Sequence, residues 1–402
     1  MGKINIVKYA SIYGDKDFNE LPFNEVDSLI LSQLSYLNYK GFVGEYGHND
    51  PAVTLKSIAQ SVRYDDIFKG YFYEDDNREL IKNMVNSKRF GDLKLNCYTS
   101  VYNEEKDAQF SAVTYIMGDK SVYIAFRGTD TTILGWKEDI KLAYKRPTRA
   151  QELAVSYMND VAESFSGPFM TGGHSKGGNL AVYAAMKCAP IVRERITAIY
   201  NNDGPGFRPE VVNCDAMDEI RGRIHKFIPK ESVVGIIMND GEPYDVIDSW
   251  GVGTLQHNTY TWKIEGTSLY RVSAMSDTKI MHDAALNEWI NTLSESEIDT
   301  LVDVLYDILT ASNAKSLFDL MDNPKSSVEA AYNAYKSMNE NDKEIMGIIL
   351  SRLKDIGKHM AKEEIEENAR EGAAKIVEGV TEAMNAAENF WNQLIHNDED
   401  KG

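Results

Sequence analysis

The chain has 402 residues, of which 43% are hydrophobic and 26% charged, a composition typical of a globular protein with room for more than one folding unit. Its formal net charge of -19 at pH 7 argues against nucleic acid or an anionic membrane surface as the main partner, because both would repel it. Three widely spaced cysteines, an N-terminus without an apolar signal segment and the lack of any apolar run near about 18 residues predict a soluble cytoplasmic protein without a transmembrane segment.

The first ninety residues are predicted to be mostly helical and rich in loops. Apolar residues between Phe23 and Leu37 recur at helical spacing, and Pro22 or Asn24 marks the start of that helix. The aromatic and acidic residues 71–76 read as a loop that leads into another helix. We expect these helices to form a layer against a sheet.

From residue 95 the pattern changes to that of strands. Segments 95–102, 110–117 and 121–126 are rich in β-branched and aromatic residues, and Gly118 and Asp119 predict a hairpin turn between the last two.

Strands and helices alternate from residue 149 onward. A helix at 149–165 is followed by a short strand before Ser175, a helix after it, and strands at 196–200 and 223–228. Such alternation predicts an α/β fold with a mainly parallel central sheet flanked by helices on both faces. Two later strands, at about 259–264 and 267–272, are expected to complete the edge of the sheet.

The strand pattern disappears after residue 275. We therefore divide the chain into a domain at 1–275 and a helical C-terminal region at 276–402. Apolar stripes at 345–360 and 377–394 require a partner surface. Packing within the chain is the simplest interpretation, with homo-oligomerisation or a protein partner as alternatives, while the acidic residues at 363–367 disfavour a membrane surface.

A serine on a sharp turn is the most informative local feature. Ser175 lies in the motif Gly-His-Ser-Lys-Gly, between a short apolar strand and an amphipathic helix, which is the pattern of a nucleophile elbow. Gly173 and Gly177 leave room for the tight turn, and the helix directs its free N–H groups toward whatever the serine attacks. The motif predicts a serine hydrolase.

A serine hydroxyl needs an imidazole to take its proton and a carboxylate to orient that imidazole. His257 lies in a loop after the last predicted parallel strand, where hydrolases place the histidine, whereas His174 is expected to shape the turn. Asp203 and Glu231 each stand at the carboxyl end of a strand, and either could reach His257. Asp245 and Asp248 are weaker candidates for the acid.

The oxyanion hole needs two N–H donors. Lys176, directly after the nucleophile, supplies one, and Thr129 or Asp130 in the loop at 125–132 supplies the other.

These residues resemble a known family. Segments 126–129 (FRGT), 135–139 (GWKED) and 173–178 (GHSKGG) are similar to the FRGT, NWxxD and GHSLGG motifs of the class 3 (fungal-type) lipases, which are α/β-hydrolases. Segments 24–29 (NEVDSL), 203–207 (DGPGF) and 256–258 (QHN), with Trp262, resemble a bacterial lipase-like family described as a domain of unknown function. The resemblance covers roughly residues 20 to 310.

The resemblance implies Ser175 as nucleophile, His257 as base, and the backbone of Thr129 and Lys176 as oxyanion donors. It favours Asp203 as the acid, with Glu231 as the alternative. One departure is Lys176, which replaces the usual leucine and is expected to bring a charge near the acyl pocket.

The sequence is compatible with three functions. The first is a cytoplasmic hydrolase of small or medium acyl esters that works through an acyl-serine. The second is a catalytically silent hydrolase fold that recruits partners through its acidic helical tail, and the third is a serine peptidase or thioesterase. No metal-binding motif and no nucleotide-binding motif is present, so neither a metal nor another cofactor is expected.

Overall fold

The computed structural model describes residues 2–69, 73–103, 108–129, 147–232, 234–238, 242–273, 275, 277–312 and 336–367. The chain divides into two compact units, Met1–Ser276 and Asp277–Gly402. In the described part of the chain no helix is both long and apolar enough to cross a membrane.

The first unit is an α/β structure. Its strands are β1 Val53–Thr54, β2 Lys94–Asn103, β3 Ala108–Ile116, β4 Val122–Phe126, β5 Phe169–His174, β6 Ile196–Asn202, β7 Ile224–Pro229, β8 Asp245–Ile247, β9 Ile264–Glu265 and β10 Ser268–Leu269. Its helices are α1 Ile6–Tyr13, α2 Glu25–Leu34, α3 Leu55–Ala59, α4 Glu74–Val85, α5 Arg149–Ser164, α6 Lys176–Lys187, α7 Pro190–Arg193, α8 Pro209–Val212 and α9 Asp215–Arg221.

Eight strands form one sheet in simple sequential order, β1 to β8. Strands β1 to β4 pair antiparallel, and β4 to β8 pair parallel. The predicted hairpin between β3 and β4 is present, with Met117 donating its N–H to the carbonyl of Ser121 at 2.9 Å. The parallel half of the sheet therefore directs the carboxyl ends of five neighbouring strands to one edge.

The sheet is covered by helices on both faces. Along β4, Tyr123 and Ala125 pack into the apolar cluster that includes α1, α2 and α4, while Ile124 and Phe126 pack into the cluster that includes α5 and α6. Successive side chains of a strand point to opposite faces, so a continuous apolar strand fills both clusters. This layered, mainly parallel arrangement is the α/β-hydrolase fold that the sequence predicts.

Local capping explains where helix α2 begins. The Asn24 side chain accepts hydrogen bonds from the N–H groups of Val26 and Asp27, and the Asp27 carboxylate accepts one from the N–H of Asn24. This reciprocal capping box satisfies N–H groups that lack partners inside the helix. The predicted start at Asn24 is thus confirmed.

The expectation for the last two strands is confirmed in part. Thr259–Thr261 forms a 3₁₀ turn instead of a strand, and β9 and β10 pair with each other as a small sheet, in which Ile264 also bridges to Ile4. The last strand of the main sheet is β8, a strand of three residues that the sequence did not indicate. The residues after β10 run along it, because Arg271 forms an antiparallel bridge with Ile247 and the N–H of Val272 donates to the carbonyl of Val246 at 2.9 Å. The side chain of Trp262, between the 3₁₀ turn and β9, is fully buried.

The second unit is helical in its described part. Its helices are α10 Asp277–Thr292, α11 Glu295–Ser312 and α12 Glu340–Glu367. The indole of Trp289 on α10 donates to the carbonyl of Ile349 on α12 at 3.0 Å, and Arg352 forms an ion pair with Glu297 of α11 at 2.9 Å. In the stripe at 345–360, Met346 and Ile349 are buried, whereas the stripe at 377–394 lies outside the described residues.

Candidate active site

Ser175 occupies a strained turn between β5 and α6. Its backbone has φ 58° and ψ -132°, a left-handed conformation that non-glycine residues rarely adopt. A Cβ atom on Gly177 would lie 2.1 Å from the carbonyl oxygen of Phe126, and one on Gly173 would lie 2.3 Å from the carbonyl carbon of Gly177. The turn thus has the geometry of a nucleophile elbow. As predicted, Gly173 and Gly177 are needed because a side chain at either position would collide with neighbouring backbone.

Asp203 lies beside the elbow, just past the end of β6. The N–H of Ser175 donates to the carbonyl of Asn202 at 3.0 Å, which connects the turn to the last residue of β6, directly before Asp203. The Asp203 side chain is fully buried, and its carboxylate accepts hydrogen bonds from the Ser232 hydroxyl at 2.6 Å and the N–H of Gly235 at 3.1 Å. These donors compensate the carboxylate for the water that burial removes.

His257 contacts this carboxylate directly. It ends the 3₁₀ turn Gly253–His257, and its Nδ1 lies 2.6 Å from Oδ2 of Asp203. Because a carboxylate can only accept, the proton of the neutral imidazole resides on Nδ1 and leaves the lone pair on Nε2. The structure therefore brings together the predicted base and one of its two predicted acids.

Glu231, the alternative acid, bonds to the loop that carries His257. Its Oε2 accepts from the N–H of Gly253 at 2.8 Å and from Nε2 of Gln256 at 3.0 Å.

Asp245 and Asp248, the weaker candidates, form ion pairs with basic side chains. Asp245 pairs with Arg271 at 2.8 Å, and Asp248 pairs with Lys263 at 2.6 Å and with Lys230 at 2.9 Å. From the residues alone, Asp203 and Glu231 were equal candidates because both stand at the carboxyl end of a strand, and Asp245 and Asp248 ranked below them.

His174 joins the elbow to the histidine loop. Its Nε2 donates to the carbonyl of His257 at 2.9 Å, and its Nδ1 lies 3.0 Å from the hydroxyl of Tyr36. Burial, and then the neighbouring His257, hold the pKa of His174 well below its usual range, so that this imidazole is neutral at pH 7. Tyr36 was missed at the sequence level, since it stands 138 positions before His174 and belongs to no motif.

The Lys176 side chain is buried and directed toward β3. Its ammonium donates to the carbonyl and the side-chain oxygen of Gln109, both at 3.0 Å. The main chain of Lys176 begins α6, at the positive end of the helix dipole. The Lys176 ammonium, which was expected near the acyl pocket, therefore binds Gln109 on β3.

The loop after β4 runs along the elbow. A Cβ atom on Gly128 would lie 2.6 Å from the carbonyl oxygen of His174, and Thr129 is buried next to it in the chain. Asp130 and the segment 135–139 lie outside the described residues. Among the residues that the structure does describe, no group of three or more His, Cys, Asp or Glu side chains could hold a metal ion.

Comparison with known proteins gives one family and two solved structures. The family model described as Mbeg1-like matches residues 84–307. The crystal structure of M37 lipase is similar over 53% of this chain and 70% of its own, with 14% identity and a TM-score of 0.34. The Rhizomucor miehei lipase in its propeptide complex is similar over 50% of this chain and 70% of its own, with 15% identity and a TM-score of 0.30. No curated protein matches the chain.

Proposed function

The chain belongs to the Mbeg1-like family, and from this premise we propose that it is a serine hydrolase that cleaves carboxylic esters through an acyl-serine intermediate. The matched range contains Ser175, Asp203 and His257. One observation carries the proposal: a buried carboxylate and an imidazole share a 2.6 Å hydrogen bond beside a strained serine turn.

In the proposed mechanism the Ser175 hydroxyl attacks the acyl carbon while Nε2 of His257 takes its proton. Asp203 holds the imidazole by its Nδ1–H and stabilises the imidazolium that forms. The protonated ring then gives the proton to the leaving alcohol, and a water molecule, activated in the same way, releases the acid.

The tetrahedral oxygen requires two donors. We assign the N–H of Lys176, at the start of α6, and the N–H of Thr129, after β4, to this task. The proposal is supported by the position of both at the edge of the sheet where Ser175 lies, and by the dipole of α6, whose positive end is at Lys176.

We further propose a small or medium acyl ester as substrate and the cytoplasm as location. All three cysteines are free, which agrees with a reducing compartment. The catalytically silent alternative, which the Lys176 substitution motivated, gains no support from that side chain, since its ammonium donates to Gln109 on β3.

Covalent labelling tests the proposal. The wild-type protein should gain the mass of one fluorophosphonate adduct and hydrolyse a p-nitrophenyl ester series, and Ser175→Ala should do neither. Ser166→Ala, which changes an exposed serine, serves as the control and should behave as wild type. Wild-type protein that neither labels nor turns over any ester or thioester would refute the hydrolase function.

A further inference from the structure

The loop that carries His257 has little apolar anchoring on its outer side. Val252 and Leu255 are 77% and 66% exposed, and Gly251 and Gly253 contribute no side chain. Gly253 also has φ +55°, a conformation that a side chain would disfavour. Polar contacts must therefore hold this loop if the imidazole is to keep its place.

Gln256 supplies such contacts from the inner side. It is buried, and its side-chain N–H₂ donates to Oε2 of Glu231 at 3.0 Å and to the carbonyl of Gly251 at 3.1 Å. Its side-chain oxygen accepts from the N–H of Glu231 at 3.1 Å. The indole of the fully buried Trp262 donates to its main-chain carbonyl at 2.9 Å.

Glu231 completes the arrangement from the end of β7. Oε2 of its carboxylate accepts from both Gln256 and the N–H of Gly253, so the first and the next-to-last residue of the 3₁₀ turn are bound by one oxygen. Glu231, two residues past the end of β7, thus forms three hydrogen bonds with the 3₁₀ turn: two with the side chain of Gln256, which is adjacent to His257, and one with the N–H of Gly253.

We infer that Glu231 and Gln256 are positioning residues, which form a clamp that fixes the His257 imidazole against Asp203. This inference rests on the proposed function, since it assigns Glu231 to positioning instead of the acid of the triad. The two roles differ in what they need from the side chain. The clamp needs an oxygen that accepts two hydrogen bonds, whereas a triad acid needs a negative charge to stabilise the imidazolium.

Two substitutions at one position separate these roles. Glu231→Gln keeps an accepting oxygen and removes the charge, so kcat should remain within about threefold of wild type, as for one altered hydrogen bond. Glu231→Ala removes the acceptor, and kcat should fall about 10- to 100-fold with KM little changed, as expected for a misplaced catalytic group. Asp203→Asn should lose about 10⁴-fold even though its geometry is kept.

Gln256→Ala provides a second route to the same clamp. Its kcat should equal that of Glu231→Ala. The double variant should be no slower than either single variant, because each substitution already breaks the same clamp. Glu265→Ala, which truncates an exposed glutamate on β9, is the matched control and should equal wild type. A Glu231→Gln protein as slow as Glu231→Ala would overturn the inference, and so would a Glu231→Ala protein with wild-type kcat.

A readout that does not require turnover distinguishes failure of this inference from failure of the proposed function. The proton between His257 Nδ1 and Asp203 should give a far-downfield ¹H NMR signal because the hydrogen bond is short and charge-assisted. The signal should persist in Glu231→Gln and be lost or broadened in Glu231→Ala. A signal unchanged in Glu231→Ala would refute the clamp, even if the wild-type protein hydrolyses no ester.

Discussion

At the scale of single residues, the neutral state of His174 links the site to stability. Burial keeps this imidazole uncharged while Tyr36 and the carbonyl of His257 satisfy its two nitrogens. In the unfolded chain the same ring takes a proton near its usual pKa. Below about pH 6.5 the unfolded state therefore binds more protons than the folded state, and stability falls as the pH falls.

This difference predicts the behaviour of His174→Gln. Between pH 7 and pH 5 the free energy of unfolding of the wild-type protein should decrease by up to about 2 kcal/mol more than that of the variant. Urea unfolding at the two pH values measures it. His225, whose pKa is also lowered by burial, remains in both proteins and cancels in the comparison. Equal pH dependence in the two proteins would show that His174 takes up its proton in the folded state as readily as in the unfolded chain, which would contradict its lowered pKa.

The sequence predicted some residues of the candidate site and left one choice open. Ser175 and His257 were predicted from a local motif and from a position in chain order. The residues alone left Asp203 and Glu231 as equal candidates, because each follows a strand of the parallel sheet and precedes His257, and only the family resemblance favoured Asp203. Only the arrangement of the loop at 251–257 decides that Asp203 contacts the ring and Glu231 contacts its neighbours.

At the scale of elements, the elbow depends on how closely α6 approaches β4. Gly177 in the first turn of the helix leaves no room for a side chain against the carbonyl of Phe126. Because both partners are backbone, neither can move without shifting the helix or the strand. The close contact between α6 and β4 also sets the direction in which the first N–H groups of α6 point.

Gly177→Ala should therefore damage both stability and activity. We expect the free energy of unfolding to fall by about 1–3 kcal/mol through overpacking, and the ester hydrolysis rate to fall by about 100-fold if Ser175 moves by about 1 Å. Gly222→Ala is the control, since a Cβ atom there meets nothing within 4 Å. It should change stability by less than about 0.5 kcal/mol. Wild-type stability and rate in Gly177→Ala would contradict the close approach.

Strand prediction at this scale succeeded where residues are buried on both faces. Strands β2 to β7 match the predicted segments because β-branched and aromatic residues fill the clusters on either side of the sheet. The segment at 259–272 has the same residue types but buries Trp262 and divides into a 3₁₀ turn and the short strands β9 and β10. Its conformation follows from tertiary packing, which overrides local propensity.

At the scale of the whole molecule, every described residue of the candidate site belongs to the first unit, Met1–Ser276. The second unit has its own buried residues, among them Leu293, Ile298 and Ile349. Ile349 is fully buried on α12, while its neighbour Ile348 is 42% exposed. This pair offers a matched test of the second unit's core.

Ile349→Ala should lower the stability of the second unit by about 2–5 kcal/mol, because it removes buried methylene groups and leaves a cavity. Ile348→Ala should have a small effect. Calorimetry measures the loss, and ester hydrolysis well below the transition should stay at the wild-type rate in both variants. Equal destabilisation by the two substitutions would contradict the packing of α12, and a lost rate would contradict the assignment of the site to the first unit.

The sequence by itself determined the elements whose causes are local. The glycines around Ser175, the capping residue Asn24 and the apolar strands act within a few positions, so backbone sterics and side-chain periodicity are enough to predict them. The tertiary structure decided which carboxylate meets His257, where the Lys176 ammonium binds and which tyrosine supports His174. These contacts join residues 54, 67 and 138 positions apart, and only the packed sheet brings them within hydrogen-bond distance.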